Sequence, residues 1–336
     1  MPDARKAKTT PGPQAGAGIR SRGIVFRAVT VIASLVVALI GIEGVFRIAG
    51  VRPERYQPVS TLVWDGGAFV DRGRTAPGLI KVPSRFENLG VEMGEYVPGA
   101  RFKMQYPTNP RGYFDSDRTI SFTINSLGMR GPEVQEMKPP GVFRILGVGD
   151  SFTLGEGVRE EDTFLRKLES SLNKTAGRPA FQVLNAGVQG YNTRDEILTL
   201  EKRWLSLQPD LVIIVFYLND AYSDTALREK GQEFAAMLEP TGLAKERGFK
   251  LAVVIFPEFR QLEGGYPFEK IHALVRRTCD GFGIPVLDLL DTYRGDDTAA
   301  LWVHRIDHHP DEIAHRMAAE AIEKFLLERN LVPRPN

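Results

Sequence analysis

The sequence predicts an α/β fold in which helices cover both faces of a parallel β-sheet, a three-layer α/β/α architecture. From residue 142 onward, five short apolar runs rich in β-branched residues alternate with amphipathic stretches. The apolar runs are 143–148, 181–185, 211–217, 251–256 and 285–290, and the amphipathic stretches are 160–173, 194–207, 268–282 and 312–329. Such alternation is typical of a parallel sheet buried on both sides. We therefore predict one α/β domain over residues 141–333.

The composition is that of a globular protein, since 43% of the 336 residues are apolar and can supply a large core. The formal net charge is +1, which argues against a general polyanion binder and therefore against a nucleic-acid partner. Cys279 is the single cysteine, so an intrachain disulfide is excluded. We expect Cys279 to pack on a helix that faces the core.

The sequence of residues 1–46 predicts a basic tail followed by a membrane anchor. Six basic residues and one acid give the segment before Ala28 a charge of +5, and we expect residues 1–22 to be a disordered cytoplasmic tail. Residues 23–42 are apolar apart from Arg27, and about 20 such residues suffice to cross a bilayer. We predict an uncleaved signal-anchor over residues 23–46. A cleaved signal peptide and a soluble core helix are the alternatives.

Orientation follows from the basic tail, because positively charged flanks stay in the cytoplasm. The chain would then span the inner membrane once, with its body on the periplasmic side. Residues 47–140 are rich in proline, glycine and aromatic residues, and 119–124 alternates polar and apolar side chains as a half-buried strand does. We predict a small β-rich, membrane-proximal extension that packs on the α/β domain.

Two short segments follow the first two predicted strands, at the sheet edge where α/β proteins bind ligands. Gly149-Asp150-Ser151 comes first and leads into a helix signal, which places the Ser151 hydroxyl at that edge. A simple helix N-cap is the alternative interpretation. The second segment, 185–193, contains glycines whose N–H groups can approach a ligand closely. An ordinary strand-to-helix turn is the alternative there.

A third segment, Asn219-Asp220, follows the apolar strand at 211–217. The side-chain amide of Asn219 is a good donor to a developing oxyanion. The alternative interpretation is an Asx turn that ends the strand.

The fourth segment, Asp307-His308-His309-Pro310, immediately precedes the last amphipathic stretch. A histidine with a nearby carboxylate can serve as the general base for a serine. Pro310 suits the first turn of the helix expected next. The alternatives are ordinary surface histidines or a metal site. The histidines available to such a site are His304, His308, His309 and His315.

These four segments, in this order, resemble the SGNH (GDSL-type) hydrolase superfamily from residue 142 to the C-terminus. The resemblance implies a flavodoxin-like SGNH fold without a cofactor or metal. It also implies Ser151 as nucleophile, His309 as base and Asp307 as its orienting carboxylate. The oxyanion donors would be the N–H groups of Ser151 and Gly190 and the side chain of Asn219. Weaker candidates are Asp150, Gly187, Asp220 and His308. The spacing is Asp-x-His where many members have Asp-x-x-His, so His308 stays open as the base.

Residues 125–131, Asn-Ser-Leu-Gly-Met-Arg-Gly, resemble an element of membrane-anchored bacterial members of that superfamily. The expected activity is a serine esterase that acts on an acylated small molecule or polysaccharide, for example an acetylated one. The alternative is an O-acyltransferase of exopolysaccharide or envelope modification, which would need a membrane partner to deliver the acyl group. A third alternative is an inactive binding module of an envelope complex.

Overall fold

A small antiparallel β structure precedes the α/β domain. The computed structural model describes residues 59–86, 94–175, 180–218 and 240–334, all within one unit, Pro58–Asn336. The first six strands are β1 (Ser60–Trp64), β2 (Phe69–Asp71), β3 (Ile80–Lys81), β4 (Glu95–Tyr96), β5 (Arg101–Gln105) and β6 (Thr119–Thr123). Four of them form an antiparallel sheet in the order β2-β1-β5-β6, and β3 pairs with β4.

This sheet shares an apolar cluster with the α/β domain. Phe102 and Phe122 come from β5 and β6, and their rings stack with centroids 4.6 Å apart. Both belong to one buried cluster with Leu154, the last residue of a short helix of the α/β domain, and with Val158 and Val188, which lie outside its helices and strands. The β-rich extension therefore packs against the segments that follow the first two strands of the main sheet.

The α/β domain is built on a five-stranded sheet. Its strands are β7 (Val142–Gly149), β8 (Ala180–Gly187), β9 (Leu211–Phe216), β10 (Lys250–Ile255) and β11 (Val286–Asp288). All neighbours pair in parallel, in the order β11-β10-β9-β7-β8. Every residue of β9 is buried, as a continuous apolar run requires when both faces are covered. The predicted α/β class with a parallel sheet is confirmed.

The strand order reverses beside β7, because the chain runs from β7 outward to β8 and then returns to β9 on the other side. Ligands of open α/β sheets bind at the carboxyl edge of such a switch point. Ser151 lies two residues beyond the end of β7. The topology therefore places this serine where a ligand can reach it.

Helices cover both faces of the sheet. The α-helices of the described residues are α1 (Ser151–Leu154), α2 (Phe164–Thr175), α3 (Thr193–Lys202), α4 (Pro240–Arg247), α5 (Glu269–Gly281), α6 (Leu290–Tyr293) and α7 (Glu312–Glu328). Leu168 of α2 and Ile322 of α7 belong to the core on one face. Leu200 of α3 and Val275 of α5 belong to the core on the other, and Cys279 is fully buried beside them as expected.

Two predicted helices are interrupted. The stretch predicted as one helix at 160–173 forms a 3-10 turn, Glu160–Asp162, followed by α2. Thr163 between them is extended, and its hydroxyl donates to the Glu160 carbonyl at 2.8 Å. The stretch predicted as one helix at 194–207 forms α3 followed by a 3-10 turn, Trp204–Leu207. Arg203 leaves the helical region at that junction, with φ of −136°.

The prediction that Pro310 lies in the first turn of the last helix is wrong. Pro310 ends strand β13 (Asp307–Pro310), which pairs antiparallel with β12 (Trp302–His304). Helix α7 begins two residues later, because Asp311 takes the N-cap and its carboxylate accepts from the N–H groups of Ile313 and Ala314, both at 2.9 Å.

The predicted anchor at 23–46 and tail at 1–22 lie outside the described residues, as do residues 47–58 of the predicted extension. Within residues 59–86, 94–175, 180–218 and 240–334, no helix has both the length and the apolar character needed to cross a bilayer.

Candidate active site

Ser151 is the first residue of α1, and Asp150 alone separates it from the end of β7. The turn is tight, because a Cβ on Gly149 would lie 2.0 Å from the Thr153 hydroxyl. Asp150 caps the helix, and its carboxylate accepts from the Phe152 N–H at 2.9 Å. The weaker candidate Asp150 thus shapes the turn that carries the serine. Ser151 itself is 8% exposed.

The β12–β13 hairpin brings His309 and Asp307 to this serine. The Ser151 Oγ lies 2.9 Å from His309 Nε2, and His309 Nδ1 lies 2.5 Å from Asp307 Oδ1. An ionised carboxylate can only accept, so Nδ1 carries a proton and Nε2 is left to accept the serine hydroxyl proton. The arrangement can therefore activate a serine by general-base catalysis.

Tyr106 holds the second oxygen of Asp307. Its hydroxyl donates to Asp307 Oδ2 at 2.8 Å, and the side chain is 1% exposed. Tyr106 directly follows β5, so the β-rich extension completes the shell around the orienting carboxylate. Sequence reasoning missed this residue, because one aromatic after a short strand carries no recognisable signal.

The charges of this cluster reinforce one another. Burial would raise the pKa of Asp307, but the positive charge and hydrogen bond of His309 and the Tyr106 hydroxyl hold it below its ordinary value. Burial would lower the pKa of His309, but the negative charges of Glu156 and Asp307 outweigh burial and raise it to about 10. The imidazolium form of His309 is therefore strongly stabilised.

Glu156 is a further carboxyl at this site. Its Oε2 lies 3.8 Å from His309 Nε2. Carboxyl and imidazole atoms of Glu156, Asp307 and His309 all fall within 4.8 Å of one another, close enough to share a metal ion. However, His309 Nδ1 faces Asp307 and Nε2 faces Ser151, so both ring nitrogens are already engaged in the serine–histidine–carboxylate chain.

The other histidines of the proposed metal alternative lie apart. His308 is exposed, stacks on Trp302 with ring centroids 3.9 Å apart, and directs Nε2 to a backbone carbonyl. Successive side chains of a strand point to opposite faces, so only one of His308 and His309 can reach the serine. His304 contacts the Thr108 hydroxyl at 2.7 Å. His315 accepts a backbone N–H in the core.

The two glycines of the second segment differ in setting. A Cβ on Gly187 would lie 2.3 Å from the Leu154 nitrogen, so glycine is required for β8 to pack against α1. Gly190 lies in the exposed turn after β8 with φ of +80°, a left-handed conformation that glycine adopts without strain. Asn219 and Asp220 lie outside the described residues.

The family assignment agrees with this geometry. The sequence profile of the GDSL-like lipase/acylhydrolase family matches residues 148–317, which include Ser151, Asp307 and His309. The chain belongs to this family. It is a family of ester-bond hydrolases, and the match begins inside β7 and ends inside α7.

Several solved structures are similar to part of this chain at low identity. A two-domain esterase active on acetylated mannans is 18% identical over 57% of this chain and 50% of its own, with a TM-score of 0.46. A variant of an acetyl xylan esterase from Geobacillus stearothermophilus is 17% identical over 57% of this chain and 97% of its own, with a TM-score of 0.46. A lipase/acylhydrolase from Enterococcus faecalis is 20% identical over 56% of this chain and 96% of its own, with a TM-score of 0.44. No curated protein matches the chain significantly.

Arg130, in the 125–131 element, stabilises the backbone that follows Ser151. Its guanidinium is buried and donates to the carbonyls of Leu154, Gly155 and Val158 at 2.8, 2.6 and 2.6 Å. It also lies over the Phe122 ring, 4.0 Å from the centroid. Helix α1 has only four residues, so the carbonyls at and beyond its end need partners from elsewhere in the fold. Arg130 supplies them.

Asn185 provides a second support for the same helix. Its side-chain amide donates to the Thr153 carbonyl at 2.9 Å, and its carbonyl oxygen accepts from the Gly187 N–H at 3.0 Å. Asn185 and Arg130 also form an isolated antiparallel bridge. The 125–131 element and the end of β8 thus fix the backbone that presents Ser151.

An open cleft of about 400 Å³ lies beside the Gly190 turn. One wall is the loop between β2 and β3, from Arg74 to Gly78, and continues into Ile80 and Val82. Gln189 and Gly190 form the other wall. The β-rich extension and the second segment, residues 185–193, therefore line this cleft together.

Proposed function

We propose that the chain is a serine esterase that cleaves O-acyl esters through an acyl-serine intermediate. The observation that carries this proposal is the continuous chain of contacts from Ser151 through His309 to Asp307, at 2.9 and 2.5 Å. Such a chain is the arrangement that activates a serine hydroxyl as a nucleophile once the histidine is neutral.

In the proposed reaction, Ser151 Oγ attacks the ester carbonyl while its proton passes to His309 Nε2. Asp307 stabilises the resulting imidazolium and keeps the ring in the required orientation. The tetrahedral oxyanion would accept from the N–H groups of Ser151 and Gly190 and from the Asn219 amide, the roles that the family resemblance implies. Collapse breaks the ester C–O bond, and His309 returns the proton to the leaving alcohol. Water, deprotonated by His309, then attacks the acyl carbon. The bond to Ser151 Oγ breaks, the acid is released, and His309 returns the proton to Ser151 Oγ.

The proposed substrate is an acylated polysaccharide or a smaller acylated molecule. The cleft beside Gly190 supports a bulky alcohol portion, because it is open and adjoins the turn proposed to bind the oxyanion. An apolar run at 23–42 behind a basic tail supports attachment to the inner membrane, with the esterase domain in the periplasm.

Transfer of the acyl group to an alcohol instead of water is the competing outcome. We expect the purified full-length chain to release p-nitrophenol and acetate from p-nitrophenyl acetate at a rate that an added oligosaccharide acceptor leaves unchanged. Acetate and acetylated acceptor are quantified separately. Acetylation of the acceptor that outruns hydrolysis would contradict the esterase and identify an acyltransferase.

The pH dependence follows from the stabilised imidazolium. Only neutral His309 can accept the serine proton, and the charges of Glu156 and Asp307 raise its pKa to about 10. We therefore expect kcat/KM to be low in acid and still rising above neutrality. The measurement is initial rates from about pH 6 to about pH 10, with the Ser151→Ala background subtracted. A profile already flat at about pH 6 would contradict this electrostatic description.

A further inference from the structure

Glu156 approaches the catalytic imidazole from the same side as the proposed nucleophile. Its backbone N–H donates to the Ser151 carbonyl at 3.0 Å, which ties its position to α1. The Glu156 side chain is 5% exposed. His309 Nε2 thus faces two oxygens, Ser151 Oγ at 2.9 Å and Glu156 Oε2 at 3.8 Å. The family resemblance assigns Glu156 no role.

No atom of the described residues makes a hydrogen bond to Glu156 Oε2. A carboxylate oxygen buried without such a bond is costly unless it is protonated or paired with a charge. The nearest such charge is the imidazolium of His309, on the ring nitrogen that would otherwise receive the serine proton. The burial of Glu156 therefore favours a role linked to that proton.

Charged and titratable groups of several elements surround Glu156. Burial raises the pKa of its carboxyl to about 7, helped by the charges of Asp307 and Asp150 and opposed by those of His309 and Arg74. Two buried hydroxyls, Tyr96 and Tyr106, and the Arg130 guanidinium also face this cluster.

We propose that Glu156 is a positioning residue for the reaction, whose carboxyl shares a proton with His309 and sets the pH range in which His309 can accept the proton of Ser151. The inference rests on the proposed serine esterase function. A proton that moves from His309 Nε2 to Glu156 Oε2 converts imidazolium and carboxylate to neutral imidazole and carboxylic acid, so the net charge of the cluster is unchanged. His309 becomes a free base without release of a proton to solvent.

Ionised Glu156 has two opposing effects on the reaction. It stabilises the imidazolium of the resting site, which keeps His309 protonated to higher pH. It also stabilises the imidazolium that forms when Ser151 attacks, which lowers the barrier. Removing its charge should therefore shift the acid limb of kcat/KM to lower pH and reduce the plateau.

The test compares Glu156→Gln with Glu161→Gln, which removes a carboxylate from an exposed position in the same stretch of chain. Ring nuclei of His309, assigned with the His309→Ala chain, are titrated by NMR in each full-length protein. We expect Glu156→Gln to lower the His309 midpoint and the acid limb of kcat/KM by about one to three pH units. Glu161→Gln should move neither. Equal midpoints in the two variants, or a lower plateau with an unmoved acid limb, would overturn the proposal.

The unsubstituted chain offers an independent readout if Glu156→Gln does not fold. With ¹³C in the glutamate carboxyls, the Glu156 resonance should also shift in the pH range where His309 titrates, and the His309 resonances in the range where Glu156 titrates. Independent titrations would overturn the proposal. The NMR signal does not depend on turnover. An absence of ester hydrolysis, with His309 still shifted by Glu156→Gln, would overturn the esterase function and leave the sharing of the proton intact.

Discussion

Replacing Ser151 by alanine should lower kcat/KM for p-nitrophenyl acetate by about 10³-fold or more. The reason is that the hydroxyl held 2.9 Å from His309 Nε2 is removed while the imidazole and its carboxylate stay in place. No acyl-enzyme can form, and only water attack assisted by the oxyanion donors remains. Rates are measured on matched full-length proteins whose far-UV circular dichroism is compared first.

Ser206→Ala is the matched control, because this serine is exposed and its hydroxyl contacts only the Arg203 carbonyl among the described residues. It should retain full activity. Activity in Ser151→Ala at the level of the control would contradict the assignment of Ser151 as nucleophile.

Replacing Arg130 by methionine should destabilise the protein by about 3 kcal/mol or more. Methionine fills part of the space but cannot donate, so the carbonyls of Leu154, Gly155 and Val158 lose a charged donor in a buried setting. The free energy of unfolding is measured by urea titration. Activity should fall with stability, since the same carbonyls fix the backbone around Ser151.

Arg316→Met is the matched control for this substitution. Arg316 is an exposed arginine of α7 whose guanidinium pairs with Glu320 at 3.0 Å, and exposed pairs of this kind contribute less than about 1 kcal/mol. Equal losses of stability in the two variants would contradict the supporting role of Arg130.

The main sheet could be predicted from the sequence because its strands are buried on both faces. β9 was expected at 211–217 and is found at Leu211–Phe216, where continuous apolar side chains leave no other placement. The short strand β6 was expected at 119–124 and is found at Thr119–Thr123, because alternation of side chains marks a half-buried strand.

The end of the chain was harder to predict. The sequence predicts Pro310 in the first turn of the last helix, although Asp307–Pro310 is a strand whose partner, Trp302–His304, is only three residues long. Without that pairing, the resemblance to the family favours His309 but leaves His308 open as the base. In the hairpin, alternation turns His309 to Ser151 and His308 to Trp302.

Tyr106 and Glu156 could not be identified from sequence, for different reasons. Tyr106 is 201 residues from Asp307 along the chain, so their hydrogen bond depends on how the extension docks. Glu156 lies close to Ser151, but the left-handed Gly155, with φ of +79°, turns the chain so that its carboxyl faces the imidazole. This turn at Gly155 is a backbone conformation, and the pattern of residue types does not predict where it directs the Glu156 carboxyl.

Covalent labelling of the full-length chain with a fluorophosphonate, followed by peptide mass spectrometry, tests directly whether Ser151 is the nucleophile. Such a reagent forms a stable bond only with a serine that is activated as a nucleophile. We predict one adduct per chain, located on Ser151 and absent from the His309→Ala protein. An adduct on another residue would contradict the assignment of Ser151 as nucleophile. So would undiminished ester hydrolysis by a chain that is fully labelled on Ser151.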